Sequence, residues 1–287
     1  MGTSDVQQQG HQPHTPPTHV IKPSRGWFAL NLRELWAYRE LLYFFIWRDI
    51  KVRYKQTVVG AAWVIIQPFS QMVIFSVVFG HLADLPSDEI PYPVFTYTAL
   101  VPWIYFANSL TNSSNAVVDQ ARVITKVYFP RVLLPAGGVI GGLLDFGIAF
   151  LVLIGMMLYF GISPGWAILT LPLFLLLAMA TALAVGLWLS ALNAVYRDVR
   201  YALTFLIQFW MFATPVAYSS GLIPDSWKPL YGINPMAGVV DGFRWALLGK
   251  AEAPGPMLAV SAAVVVLLLV TGALYFKRME RYFADIV

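Results

Sequence analysis

The chain alternates long apolar runs with short polar connections. Six runs, at approximately 57–81, 94–115, 132–161, 166–193, 201–220 and 256–276, reach or approach the ~20 mainly apolar residues that a helix needs to cross the hydrocarbon core. Pro102, Asn108 and Asn112 interrupt the second run, and Gln208 and Pro215 the fifth, yet each stays long enough to cross. The pattern predicts an all-α polytopic membrane protein with six transmembrane helices over residues 57–276. Ahead of them, residues 1–26 are polar, with His11, His14 and His19 among prolines and glutamines, and read as a disordered tail rather than a metal site. No apolar stretch precedes Trp27, so a cleaved leader is not expected. Residues 27–56 form the next unit. From 31 to 56, Leu35, Leu42, Phe45 and Ile46 are set apart from Arg33, Glu40, Arg48, Lys51 and Lys55 at helical steps, predicting an amphipathic helix at the cytoplasmic surface. Such a helix can lie among anionic headgroups, present its charges to a partner protein, or do both. Residues 277–287 follow the last run as a C-terminal tail.

Composition removes the soluble alternatives. Of 287 residues, 58% are hydrophobic and only 12% charged, where a soluble domain carries about 25%. The mean hydropathy of +0.65 is more than a water-exposed domain of this length can bury. Without cysteine there is no disulfide framework, thiolate metal site or Cys nucleophile. A pI near 9.2 invites a nucleic-acid reading, but the cations follow the apolar runs. Sixteen of the 19 Lys and Arg lie before the first run, between the second and third, between the fourth and fifth, or after the sixth. Only Lys228, Arg244 and Lys250 lie in the opposite connections. That bias places both termini in the cytoplasm and makes a nucleic-acid partner unnecessary.

The outer connections differ in kind. Residues 81–93 are acidic through Asp84, Asp88 and Glu89 and stiffened by three prolines. Residues 221–255 mix Trp227, Tyr231, Phe243 and Trp245 with Pro224, Pro229, Pro235 and Asp241, too apolar for a solvated loop and too broken for a crossing. They predict short helices lying in, or dipping into, the outer interface. On the inner side, Asp119, Arg122 and Lys126 stand at helical steps, consistent with a solvated turn carrying topology charges or with a docking helix.

Polar residues inside the runs need partners that hydrocarbon does not offer. Gln67 and Gln71 lie one turn apart in the first run; Thr204, Gln208 and Phe212 share a face of the fifth, near Phe205, Phe209, Trp210 and Tyr218. Amides beside aromatic rings suit sugars, and they equally suit glutamines that link helices. Asp145 sits deep in the third run among Gly137, Gly138, Gly141, Gly142 and Gly147. The glycines allow close helix packing, across which Asp145 can accept a hydrogen bond. A proton relay would want a second acidic or His group at that depth, and none is present. No G-x-x-x-x-G-K-[ST], G-x-S-x-G or H-E-x-x-H occurs, so neither nucleotide binding by that loop nor a familiar catalytic or metal site is expected.

Six blocks, WRDIKVRYKQTVVGAAWVIIQP (47–68), LVPWIYFANSL (100–110), KVYFPRVLLP (126–135), LNAVYRDV (192–199), FATPVAYS (212–219) and INPM (233–236), resemble in order the type-2 ABC export permeases for polysaccharides. The resemblance implies a half-transporter that pairs with a copy of itself and with two copies of a separate ATP-binding subunit to export a lipid-linked glycan across a bacterial cytoplasmic membrane. ATP and Mg would then be bound by the partner, with no cofactor in this chain. It also implies coupling segments at 118–129 and 195–200, with Asp119, Arg122, Lys126, Tyr128, Arg197, Asp198 and Arg200 facing the ATPase. Arg48, Lys51 and Arg53 would belong to an interfacial gate, and helices within 221–249 would close the exit. The path would be lined by Gln67, Gln71, Phe75, Thr204, Phe205, Gln208, Phe209, Trp210, Phe212 and Tyr218. The ending MERYFADIV looks most like O-antigen exporters, although teichoic-acid and capsule exporters share the central blocks. The rivals are an exporter of another amphiphile such as a drug or lipid, an ion-coupled secondary transporter and a membrane-embedded enzyme.

Overall fold

The computed structural model describes residues 36–55, 60, 62–224, 226–249, 253 and 255–283. The polar head 1–26, residues 27–35, Lys250 and the last four residues lie outside that set. Among the described residues all regular structure is helical. Helix α1 spans Arg39–Lys55, α2 Ala62–Phe75 with a π-helical continuation through Ser76–Leu82, α3 Tyr92–Asp119 and α4 Ala121–Ile124. Helices α5 (Leu133–Gly141) and α6 (Leu143–Tyr159) follow. A 3₁₀ turn at Trp166–Thr170 leads into α7 (Leu171–Val195), then α8 covers Val199–Ala213. The segment predicted to lie outside holds α9 (Lys228–Tyr231) and α10 (Pro235–Leu248), and α11 spans Pro256–Met279.

Four of these helical stretches, Ala62–Leu82, Leu133–Tyr159, Trp166–Val195 and Pro256–Met279, are long and apolar enough to cross a membrane. The second and fifth predicted runs behave differently, each for its own reason. Helix α3, about 42 Å long at 1.5 Å per residue, is the centre of the bundle, packed against α2, α5, α6, α7 and α10. It tolerates Thr96, Thr98, Ser109, Ser113 and Ser114 because protein, rather than lipid, surrounds them. The fifth run, expected at 201–220, is helical only to Ala213. Pro215 disfavours helical backbone at the residue before it, and Thr214 is extended (φ −105°, ψ 141°). Fifteen residues make α8 only about 22 Å long.

The third run breaks at Gly142 into α5 and α6. Two of its glycines admit close packing: a Cβ on Gly138 would meet the Ser113 backbone nitrogen at 2.9 Å, and one on Gly142 the Ser109 hydroxyl at 2.7 Å. Gly141 and Gly147 face open space and have no such role. Helix α1 also departs from expectation, because its apolar and charged side chains are spread around the axis rather than divided between two faces. Phe45 alone is buried, while Trp47, Tyr43 and Phe44 remain exposed beside Arg39 and Lys51.

A main core runs through α3, α6, α7 and α10. A smaller one gathers Phe45, Val117, Ile124, Phe129, Leu187, Phe276 and Phe283. The expected C-terminal tail is therefore docked as far as it is described. Phe283 is fully buried, and Glu280 accepts from the Arg131 backbone N–H at 3.1 Å and, through its carbonyl, from the Arg131 guanidinium.

Candidate transport path and coupling surface

Three regions and one cavity collect the residues with chemistry to offer. The first is the free face of α8. Tyr201, Phe205, Phe209 and Phe212 recur at helical steps and are 60–80% exposed, with Thr204 and Gln208 exposed between them. Trp210 points the other way. Its ring packs edge-on to Phe106 at 5.0 Å, and its indole N–H donates to Asn234 Oδ1 at 2.8 Å. It ties α8 to the segment that follows it. Where α8 ends, Phe75, Phe212 and Tyr218 meet around a cavity of about 210 Å³. Phe75 is buried edge-on against Phe79, and the Tyr218 hydroxyl is bonded to that of Tyr231 at 2.6 Å. Gln71 is half-buried, its Oε1 without a hydrogen-bond partner among the described residues.

Gln67 does not join the α8 face. It lines a larger cavity of about 540 Å³ between the end of α1, α2, α3 and α6, together with Arg53, Asn108, Asn112 and Asp145. Asp145 accepts from both the Arg53 guanidinium and the Tyr54 hydroxyl. The deep carboxylate thus anchors the end of α1, and the expected gate cation Arg53 is held at the cavity wall. Arg48 bonds Asp49 and Gln120 at 2.8 Å each, and Lys51 sits over the Trp47 ring at 5.2 Å.

The second region is the end that carries the short polar connections. The helix expected at 118–129 is split. Helix α3 runs to Asp119, α4 holds only four residues, and Phe129 turns into the small core against Phe45, 5.6 Å away. Arg200 bridges Asp119 at 2.8 Å and Asn115 at 3.0 Å, and Asn193 donates to Asn115 at 2.9 Å. The connections 118–129 and 195–200 therefore form one surface. Arg122, Lys126, Val127, Tyr128, Tyr196, Arg197 and Asp198 remain exposed on it.

The third region, in the outer segment, was named by sequence only as broken helices. Helix α10 is buried by other helices along almost its whole length. A Cβ on Gly242 would meet the Phe174 ring at 2.3 Å, so the small residue sets how closely α10 approaches α7. Arg244, 2% exposed, donates to the Val216 carbonyl at 2.9 Å and the Tyr218 carbonyl at 3.1 Å, and its guanidinium lies 3.6 Å from the Phe95 ring centroid. Asp241 is buried one turn away, and Asp88 accepts from the Ser219 hydroxyl at 2.9 Å. Burial pushes the Asp241 carboxyl up from the usual carboxylate range, against the pull of Arg244 and a hydrogen bond from Ser220. The signal for this cluster was present in the sequence, since Asp241 and Arg244 stand three apart, but burial could not be read from spacing.

The profile of the ABC-2 type transporter family matches residues 40–248, spanning α1 to the end of α10. The chain belongs to the ABC-2 type transporter family. Among similar relatives of this ABC-2 protein is the O-antigen export system permease protein RfbA of Myxococcus xanthus, 29% identical over 256 residues that cover 88% of this chain and 97% of that protein. An O-antigen export system permease protein RfbA of Klebsiella pneumoniae is 28% identical over 245 residues, 84% and 92% of the two chains. The polysialic acid transport protein KpsM of Escherichia coli is 25% identical over 242 residues, 81% and 91% respectively. As an ABC-2 family member with several apolar helices, the protein is a multi-pass membrane transport component.

Proposed function

We propose that this ABC-2 protein is the membrane subunit of an ATP-driven exporter of a lipid-linked polysaccharide of the O-antigen class. The alignment with an O-antigen permease over 97% of that protein's length is the observation that carries the substrate class. The chain crosses the bacterial inner membrane six times in this reading. Helix α3 and the α8 segment extended through 214–219 add to the four apolar spans, and both termini face the cytoplasm, as the cation bias requires. Two copies of the chain pair with two copies of a separate ATP-binding subunit, which holds ATP and Mg; this chain holds no cofactor and no nucleic acid.

The exposed Tyr201, Phe205, Phe209 and Phe212, with Thr204 and Gln208 between them, support a glycan path on α8, because rings stack on sugar CH faces and amides bond hydroxyls. Gln71, Phe75 and Tyr218 extend that path along α2 and toward the outer end. The surface around Arg122, Lys126, Tyr128, Arg197 and Asp198, braced by Asp119 and Arg200, receives the ATPase. Nucleotide-driven closure of the partner favours an arrangement in which the seam between protomers opens, a population shift that needs no chemistry in this chain. Reconstitution in vesicles tests the reading: translocation of a lipid-linked glycan should require both ATP and the second subunit, and transport by this chain alone would overturn it. The similarity to a polysialic acid transport protein supports a capsule glycan as the second reading. An acidic rather than neutral glycan copurifying with the complex would favour it.

A further inference from the structure

The larger cavity is a partly open hollow between the end of α1, α2, α3 and α6, and no residue of the exposed α8 face lines it. Three amides in its wall, Gln67, Asn108 and Asn112, make no side-chain hydrogen bond among the described residues. In a membrane segment the surrounding hydrocarbon offers them nothing, so water or a ligand must satisfy them. The charged groups of the wall are already matched, since Asp145 is engaged by Arg53 and Tyr54 and the Arg53–Asp145 pair sums to zero. An anionic ligand would have to compete with Asp145 for Arg53, whereas an uncharged one need not. Thr111 spends its hydroxyl proton on the Ala107 carbonyl at 2.8 Å and keeps acceptor capacity. Trp63, Tyr105 and Phe146 supply ring surface to the same cavity. Its volume of about 540 Å³ falls in the range of small-molecule sites.

We infer that this cavity is a binding site for an uncharged, hydroxyl-rich ring of the hexose kind. The amides bond its hydroxyls and an aromatic face covers its CH groups. The cavity's own chemistry selects the ring; that the ring is borne by a transported lipid rests on the exporter reading above.

The test uses the full chain in vesicles of phosphatidylethanolamine and phosphatidylglycerol, with a benzophenone amino acid placed at Ile104 in the cavity wall or at Phe209 on the α8 face. The probes are tritiated octyl glucoside and tritiated octyl phosphocholine. The glucoside should label the Ile104 position in preference to the phosphocholine, and Gln67→Leu with Asn108→Leu should weaken that labelling roughly tenfold, as expected for losing two hydrogen bonds. Competition by free glucose identifies a soluble sugar as a sufficient ligand; its failure identifies a lipid-borne one. Equal labelling by phosphocholine, or no labelling at Ile104, overturns the inference, the latter meaning that only water fills the cavity. The comparison of the two probes in the chain with intact amides stands even if the leucine variants fail to fold. Labelling at Phe209 without labelling at Ile104 removes the cavity site and leaves the exporter reading intact, which fails instead on ATP-dependent translocation.

Discussion

Replacing Arg244 by Met gives a demanding check of how the outer segment is held. The variant keeps the apolar stem but loses two hydrogen bonds to the Val216 and Tyr218 carbonyls and the contact with the Phe95 ring. Each charged hydrogen bond is worth about 1.5–3 kcal/mol, and a desolvated cation–ring contact about 2 kcal/mol. These terms overlap, and the change also strips Asp241 of its buried cation, so the expected net cost is about 3–5 kcal/mol. Hydrogen–deuterium exchange of the 214–222 amides reads this directly as local opening. A cost near 4 kcal/mol should speed exchange by roughly 10³. Asp241 adds a pH signature. Burial already holds its folded-state carboxyl above the ordinary value of 3.8, and losing Arg244 raises it further, while Asp88 and Lys228 face the same cluster. A folded state that binds the proton more tightly than the unfolded chain loses stability as pH rises through the window above 3.8. Relative to the intrinsic, base-catalysed exchange rate at each pH, the variant should therefore be less protected at pH 8 than at pH 5, and Asp241→Asn in the same background should flatten the difference. Exchange within tenfold of the parent, or a defect insensitive to pH, would refute this account.

Three further outcomes follow from the same geometry. Arg122→Ala with Lys126→Ala removes exposed charges and should change stability by no more than about 0.5 kcal/mol, yet abolish stimulation of the partner's ATPase by lipid-linked glycan; normal stimulation would count against the docking surface. Phe209→Leu should lower glycan export at unchanged thermal stability, whereas Trp210→Leu, which breaks the contact with Phe106 and the bond to Asn234, should destabilise the fold by about 2–4 kcal/mol; the reverse pattern in export and melting assays would exchange their roles. Gly138→Ala drives a Cβ to 2.9 Å from the Ser113 backbone and should cost about 1–3 kcal/mol, while Gly147→Ala meets nothing within 4 Å and should be tolerated in the same melting series.

Helical class, the four apolar spans and the family were legible in the chain, because lipid exposure forces long apolar runs and the shared blocks sit in order along them. Legibility failed where protein replaces lipid or water as the surroundings. Helix α3 looks like the weaker span because its serines and threonines are sheltered by neighbours, and the close packing of α10 against other helices is not visible in its broken pattern. The candidate site divides in the same way. Residue type and spacing found the α8 stripe, the polar connections and the singular Asp145. Which way a side chain faces was beyond them: Trp210 turns inward, Gln67 enters a cavity with Asn108 and Asn112, and Phe283 docks where a tail was expected. Sequence by itself determined the solvent and the periodicity, since both act along one segment at a time. Tertiary structure decided partners separated by about ninety residues, such as Arg53 and Asp145, because a buried charge takes whichever counter-charge the packing of other helices delivers.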